Sequence, residues 1–89
     1  MKVIKKYEIL LEQSAEKDLR KLPKNIFYQI IAKIKLLSEN PRPDGVKKLI
    51  NLSNYWRIRI GSFRVIYEIN DPEKFIKVYK IKHRKDVYK

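Results

Sequence analysis

The sequence predicts an α+β fold: an N-terminal strand, a helical hairpin, then a three- to four-stranded antiparallel sheet with the helices packed on one face. Three observations predict it. Apolar residues recur at every second position near the N-terminus and again from Tyr55 onward, and at helical spacing only in between. The stretch "YWRIRIGSFRVIYEI", Tyr55 to Ile69, sets a Gly-Ser pair between two alternating runs, as a tight hairpin does. The order is a strand, two helices, then three or four strands, which predicts an antiparallel sheet packed on one side by a helical hairpin. The 89 residues fit a single domain, 1–89, a length that buries roughly 60–65% of the unfolded chain's surface around one core.

Each element has its own warrant. Tyr7, Ile9 and Leu11 alternate with Lys6, Glu8 and Glu12 and read as a first strand with one fairly clean apolar face. Ser14 then offers a side-chain N-cap, Glu16 sits in the first turn, and Ala15, Leu19 and Leu22 share a face, giving a short helix. Pro23 interrupts it, since proline has no N–H to donate, and opens a second helix. There Ile26, Ile30, Ile34 and Leu37, flanked by Phe27 and Ile31, form a broad stripe while Lys24, Lys33 and Lys35 remain for solvent. "NPRPDG", Asn40 to Gly45, ends that helix in an irregular surface loop. Val46 to Leu52 is a candidate short strand. In the hairpin, Trp56, Ile58 and Ile60 then Phe63, Val65, Tyr67 and Ile69 take one face. Arg57, Arg59 and Arg64 take the other. "NDPE" reads as a turn, and "KFIKVYKIKH" carries apolar residues on both faces, as a central strand would.

Composition narrows the function classes. The chain is 44% hydrophobic and 36% charged, so it has the apolar mass to fold despite its charge. Twenty-two Lys and Arg against ten Asp and Glu leave a net +12, which repels itself unless an anionic partner is near. RNA, DNA, ribosome, an anionic membrane and an acidic protein all qualify. The absence of cysteine removes disulfides, thiolate metal sites and Cys nucleophiles and fits a reducing compartment. The opening "MKVIKKYEILL" is interrupted by Lys5, Lys6 and Glu8, so it makes neither a signal-peptide core nor a spanning helix. A cytoplasmic protein with no membrane partner is expected.

The sheet face opposite the core is expected to be open and basic. Arg57, Arg59 and Arg64 share it with Lys80 and Lys82, followed by His83, Arg84 and Lys85, and Glu68 is the one acid among the hairpin's outward positions. Like charges side by side cost stability and call for an anion. His83 has no Cys, HxxxH pattern or carboxylate pair beside it, so no catalytic metal and no cofactor are expected. Tyr88, taken by itself, reads as a surface residue near the terminus.

The hairpin together with the tail "KHRKDVY" and the order β, α, α, β, β, β resembles the RelE-type toxins of the RelE/ParE superfamily, ribosome-dependent mRNA endonucleases of toxin–antitoxin pairs. The resemblance spans essentially the whole chain. It implies that Arg57 and Arg59 are the basic residues of the strand before the turn, Arg64 the phosphate-binding arginine of the next strand, Arg84 the arginine after the last strand, and Tyr88 the near-terminal active-site tyrosine. It also implies a cognate antitoxin, whose binding segment the +12 charge predicts to be acidic or amphipathic, with ribosome and mRNA as the other partners.

Such residues suffice chemically. RNA carries its nucleophile in the 2′-OH, so cleavage needs deprotonation of that hydroxyl, charge neutralisation at phosphorus and a proton for the leaving 5′-oxygen. Guanidinium groups suit the second task, since their planar fork matches phosphate. Some relatives have a lysine able to act as base where this chain has Arg57 and Arg59, and arginine does not give up its proton. The base is then Tyr88 or His83. Lys82 stands where relatives often have a small residue. Two other readings compete: a ParE-type inhibitor of DNA gyrase, and an RNA-binding module without catalysis that uses Tyr55 or Tyr88 for stacking.

Overall fold

Pro23 divides the helical part of the chain in two. In the computed structural model, which describes residues 6–50 and 52–87, it is the N-cap of a helix over Lys24–Leu37 and separates it from a shorter one over Gln13–Arg20. Among the described residues the elements run β1 (Glu8–Leu11), α1 (Gln13–Arg20), α2 (Lys24–Leu37), β2 (Lys47–Lys48), β3 (Tyr55–Ile60), β4 (Phe63–Asn70), β5 (Phe75–His83) and α3 (Arg84–Val87). The fold is α+β, as the sequence predicts. Val46 to Leu52 contributes only the two residues of β2, and Ile50 beyond it is 85% exposed.

The strands form one sheet in the order β1-β5-β4-β3-β2. From β2 to β5 neighbours are antiparallel, whereas β1 lies parallel to β5, with Ile9 beside Ile76 and Leu11 beside Val78. The sheet therefore has five strands and is mixed, because the first strand returns to pair with the last. Parallel neighbours need a long crossover, and here both helices and three strands intervene. With β1 on one side and β4 on the other, β5 is the interior strand that its two apolar faces predict.

α1 continues the work of β1 at that edge. Past Leu11 the backbone of β5 would be bare on one side. The Glu12 N–H donates to the Val78 carbonyl (2.9 Å), the Ser14 hydroxyl to the Tyr79 carbonyl (2.7 Å), and the Asp18 carboxylate accepts from the Ile81 N–H (3.0 Å). Ser14 is thus not the N-cap that its position predicts. Glu12 holds that place without a side-chain bond, and the Ser14 hydroxyl satisfies a strand carbonyl instead.

The core lies between helices and sheet. Ile30, Ile34 and Leu37 of α2 and Ala15 and Leu19 of α1 cluster with Val65, Tyr67 and Ile69 of β4 and Ile76, Val78 and Ile81 of β5. The hairpin turn is the expected Gly61-Ser62, with Ile60 opposite Phe63 and Gly61 at φ +60°. A left-handed residue at that first turn position is what a two-residue hairpin with right-handed strand twist requires.

At the opposite end of the sheet, polar contacts pin the 40–45 loop. The buried Tyr67 hydroxyl donates to the Pro41 carbonyl at 2.7 Å, and burial holds this phenol far above its usual pKa, so it stays a donor. The Arg42 guanidinium meets Asp71 at 2.8 Å and lies 5.0 Å over the Trp56 ring. Asp71 also accepts from the Tyr7 hydroxyl (2.5 Å), which in turn accepts from Lys74 (3.3 Å).

Candidate nucleic-acid interface

Strand register decides which side chains share the open face. Arg59 stands opposite Arg64, and Arg64 opposite Lys82; one step along, Lys47 faces Arg57, Arg57 faces Ile66, and Ile66 faces Lys80. Residues directly opposite one another point to the same side, with Cβ atoms about 4.5–5.5 Å apart. The alternation puts Val65, Tyr67 and Ile69 into the core, so Arg57, Arg59, Arg64, Lys80 and Lys82 all lie on the far side. The structure brings these five expected residues together.

Lys47 joins them, and sequence reasoning missed it. Its place follows from pairing with Arg57 across a two-residue strand, for which a Lys-Lys dipeptide gives no signal. Glu68 shares the face but sits toward the other end, opposite Tyr55 and Lys77. Beside it a register shift after Ile66 leaves Tyr79 as an extra residue, whose ring packs edge-on against Tyr55 at 5.6 Å between centroids. Burial and the nearby Glu68 carboxylate push the Tyr55 phenol above its usual pKa, which keeps it neutral.

The arginines are only partly covered: Arg57 and Arg64 are half-buried and Arg59 is exposed. The Arg57 and Arg59 guanidinium groups make no hydrogen bond or ion pair with another described residue. Two recesses flank them. One, of about 220 Å³, lies on the sheet among Leu49, Ile66 and Lys82; the other, of about 660 Å³, runs along β3 toward Asn40, Asp44 and Lys33. Arg57 and Arg64 line both. The larger recess exists because β2 pairs only with Trp56 and Arg57, so on that side β3 from Ile58 onward has no strand partner among the described residues and faces α2 and the 40–45 loop.

The tail approaches from the turn end. Phe63 pairs with His83, and the Arg84 N–H donates to the Ser62 carbonyl at 2.7 Å, which starts α3 beside the hairpin turn where Arg59 and Arg64 lie. α3 was not expected from the sequence. Arg84 and Lys85 are exposed. His83 packs edge-on against Phe63 at 4.9 Å, and its Nδ1 accepts the Lys85 N–H at 3.1 Å. In the neutral ring that bond places the proton on Nε2, so Nε2 has no lone pair with which to take a proton. Tyr88 lies outside the described residues.

The arrangement is a cationic surface on which the Arg57 and Arg59 guanidinium groups have no acidic partner among the described residues and are available to phosphate. A helical hairpin on one side of a sheet and an arginine-rich opposite side fit the resemblance to the small toxins of the RelE/ParE superfamily.

Comparison with known proteins identifies the family. The model of the family described as ParE toxin of type II toxin-antitoxin system, parDE, matches residues 9–88, and the chain belongs to that family. It is 31% identical over 87 residues to a putative toxin RelE1 of Methanocaldococcus jannaschii, covering 94% of this chain and 97% of that one. It is 27% identical to toxin RelG of Mycobacterium tuberculosis, over 93% of this chain and 97% of the relative. Among solved structures, the archaeal RelE–RelB complex of Pyrococcus horikoshii superposes with a TM-score of 0.80 at 31% identity, covering 89% of this chain and 96% of that chain. The RelBE2 toxin–antitoxin complex of Mycobacterium tuberculosis superposes with 0.79 at 26% identity, over 94% and 98%.

Proposed function

We propose that this type II toxin is a ribosome-dependent endoribonuclease that cuts translated mRNA in the cytoplasm. The observation that carries the reading is the row Arg59–Arg64–Lys82 beside Arg57, with no acid among its members. A relative named as a putative RelE toxin supports it.

In the reaction, the 2′-oxygen of one nucleotide attacks the adjacent phosphorus and the bond from phosphorus to the 5′-oxygen breaks. The products are a 2′,3′-cyclic phosphate and a free 5′-hydroxyl. The 2′-OH proton leaves to a base and a proton reaches the 5′-oxygen, so protons balance. Arg57, Arg59 and Arg64 neutralise the charge that builds on the phosphorane oxygens, and Arg84 closes over the same phosphate from the tail. Tyr88 is the proton-transfer group. His83 contributes a hydrogen bond from Nε2, and Lys80, Lys82 and Lys85 hold flanking phosphates. The ribosome presents the message in the required geometry.

The partner that restrains the toxin is an antitoxin with an acidic or amphipathic segment, matching the +12 charge. Solved relatives are RelE–RelB complexes, which supports this partner. No described helix is long and apolar enough to cross a membrane.

The test is primer extension on a translated message after brief expression, with the parent protein and a form lacking residues 84–89. Cuts within translated codons, lost on truncation while circular dichroism still shows a folded protein, are the expected result. The matched family is described by its ParE toxins, which keeps a gyrase-directed reading in view. Growth arrest by the folded truncation with message intact would select it.

A further inference from the structure

The larger recess is too big and too mixed in character to be a phosphate site alone. Its volume of about 660 Å³ falls in the range of small-molecule sites, roughly 300–1,000 Å³. One wall holds Arg57, Arg59 and Arg64, which the proposed reaction uses. The opposite wall comes from the 40–45 loop and presents Asn40 and Asp44, groups that read hydrogen-bonding edges.

Two features of that wall matter. The first is that Asp44 has no hydrogen bond or ion pair with another described residue, whereas the neighbouring acid Glu39 is held by Lys6 at 3.2 Å. Asp44 is thus the carboxylate left for a ligand. The second is that the loop is fixed in advance. Tyr67 bonds the Pro41 carbonyl, Arg42 is clamped between Asp71 and Trp56, and two prolines restrict the backbone before it turns through Gly45 at φ +89°.

Because Arg57 and Arg64 line both recesses, a phosphate held by them has a hollow on either side. Successive nucleotides of a single strand flank a phosphate in the same way. Resting on the nuclease reading above, we propose that the larger recess is a base-reading subsite for the nucleotide next to the bound phosphate, and that Asp44, with Asn40, selects against uracil there. The chemistry sets the preference. A carboxylate only accepts hydrogen bonds, and adenine, cytosine and guanine each offer it an exocyclic amino group. Uracil offers a lone N3–H between two carbonyl oxygens, which the carboxylate repels. Single-stranded bases expose this edge to side chains.

The test uses ¹⁵N-labelled protein and uncleavable 2′-O-methyl trinucleotides of adenine, cytosine or uracil, so that binding is read apart from turnover. All three are expected to shift the amides of Arg57, Arg64 and Lys82. Only those of adenine and cytosine are expected to shift Asn40, Asp44 and Gly45, and they bind about 10-fold more tightly than the uracil form, as one good base contact allows. Asp44→Asn, a substitution at an exposed loop position, should bring the three affinities within about two-fold. Sheet amides that shift while residues 40–45 stay still would overturn the subsite and leave the phosphate site standing. Discrimination unchanged in Asp44→Asn would overturn the role of Asp44. A protein with no shifts at all would lose both the subsite and the RNA reading.

Discussion

The two ends of the sheet use the same side chain in opposite ways. Near Asp71, Arg42 is neutralised by a carboxylate at 2.8 Å and stacked on Trp56. Near the Gly61-Ser62 turn, Arg57 and Arg59 have no partner among the described residues, and Arg59 faces Arg64. One end is closed and holds the loop, the first strand and the β4–β5 turn together. The other stores unneutralised charge. A guanidinium with a partner adds stability, and one among its own kind costs stability and gains affinity for an anion.

The largest effect should come from breaking the open end. Arg64→Ala is expected to lower cleavage of ribosome-bound message by about 10²–10³-fold, the usual cost of losing one charge-stabilising donor. Ribosome binding should fall much less, because many cations share that task. Equal losses in the two measurements would make Arg64 a plain phosphate anchor.

The comparison sharpens with one substitution at each end. Arg42→Ala removes an ion pair and a cation–π contact and should cost about 1–2 kcal/mol in chemical denaturation. Arg57→Ala should stay within about 0.5 kcal/mol of the parent, since it relieves repulsion while giving up little packing. If Arg57→Ala proves the more destabilising, the division into a structural and a functional end is wrong.

The smallest effect concerns pH. Hydrogen bonds from Arg42 and Tyr7 lower the Asp71 pKa from 3.8 to about 2. The folded pKa lies below the unfolded one, so the stabilisation is present above pH 4 and is lost as pH falls toward 2. Asp71 is well exposed, and solvent screening keeps the effect small. Asp71→Asn should therefore be slightly less stable than the parent at neutral pH and converge with it near pH 2. A stability gap that persists at pH 2 would show that charge is not the cause.

How much of this could be read in the sequence depends on the reach of each interaction. Periodicity located α2, the hairpin and its turn, and the split at Pro23, because those patterns are set within a few residues. It placed Arg57, Arg59 and Arg64 on one face for the same reason. The parallel pairing of β1 with β5 was out of reach, since Tyr7, Ile9 and Leu11 fix which face is apolar and say nothing about the neighbour. Ser14 misled, because a serine before an apolar helix serves a cap and a strand edge equally well. Arg42 reads as a charged loop residue, and nothing in its neighbourhood points to Asp71 or Trp56. The wall at Asn40 and Asp44 appears only once the loop is seen beside β3 from Ile58 onward.

The parallel pair also bears on the order in which the molecule comes into being. β1 is made early and β5 late, with most of the described chain between them. The helical hairpin and the β3–β4 ribbon can form from near neighbours, whereas the β1–β5 ladder must wait for a contact of long sequence separation, the slow kind in folding. A nascent chain short of β5 has no register for β1 and only one partner strand for β4, and the Lys80–Lys82 part of the basic face does not yet exist. For a protein proposed to attack translation, the basic face is therefore incomplete until β5 has been made and paired with β4.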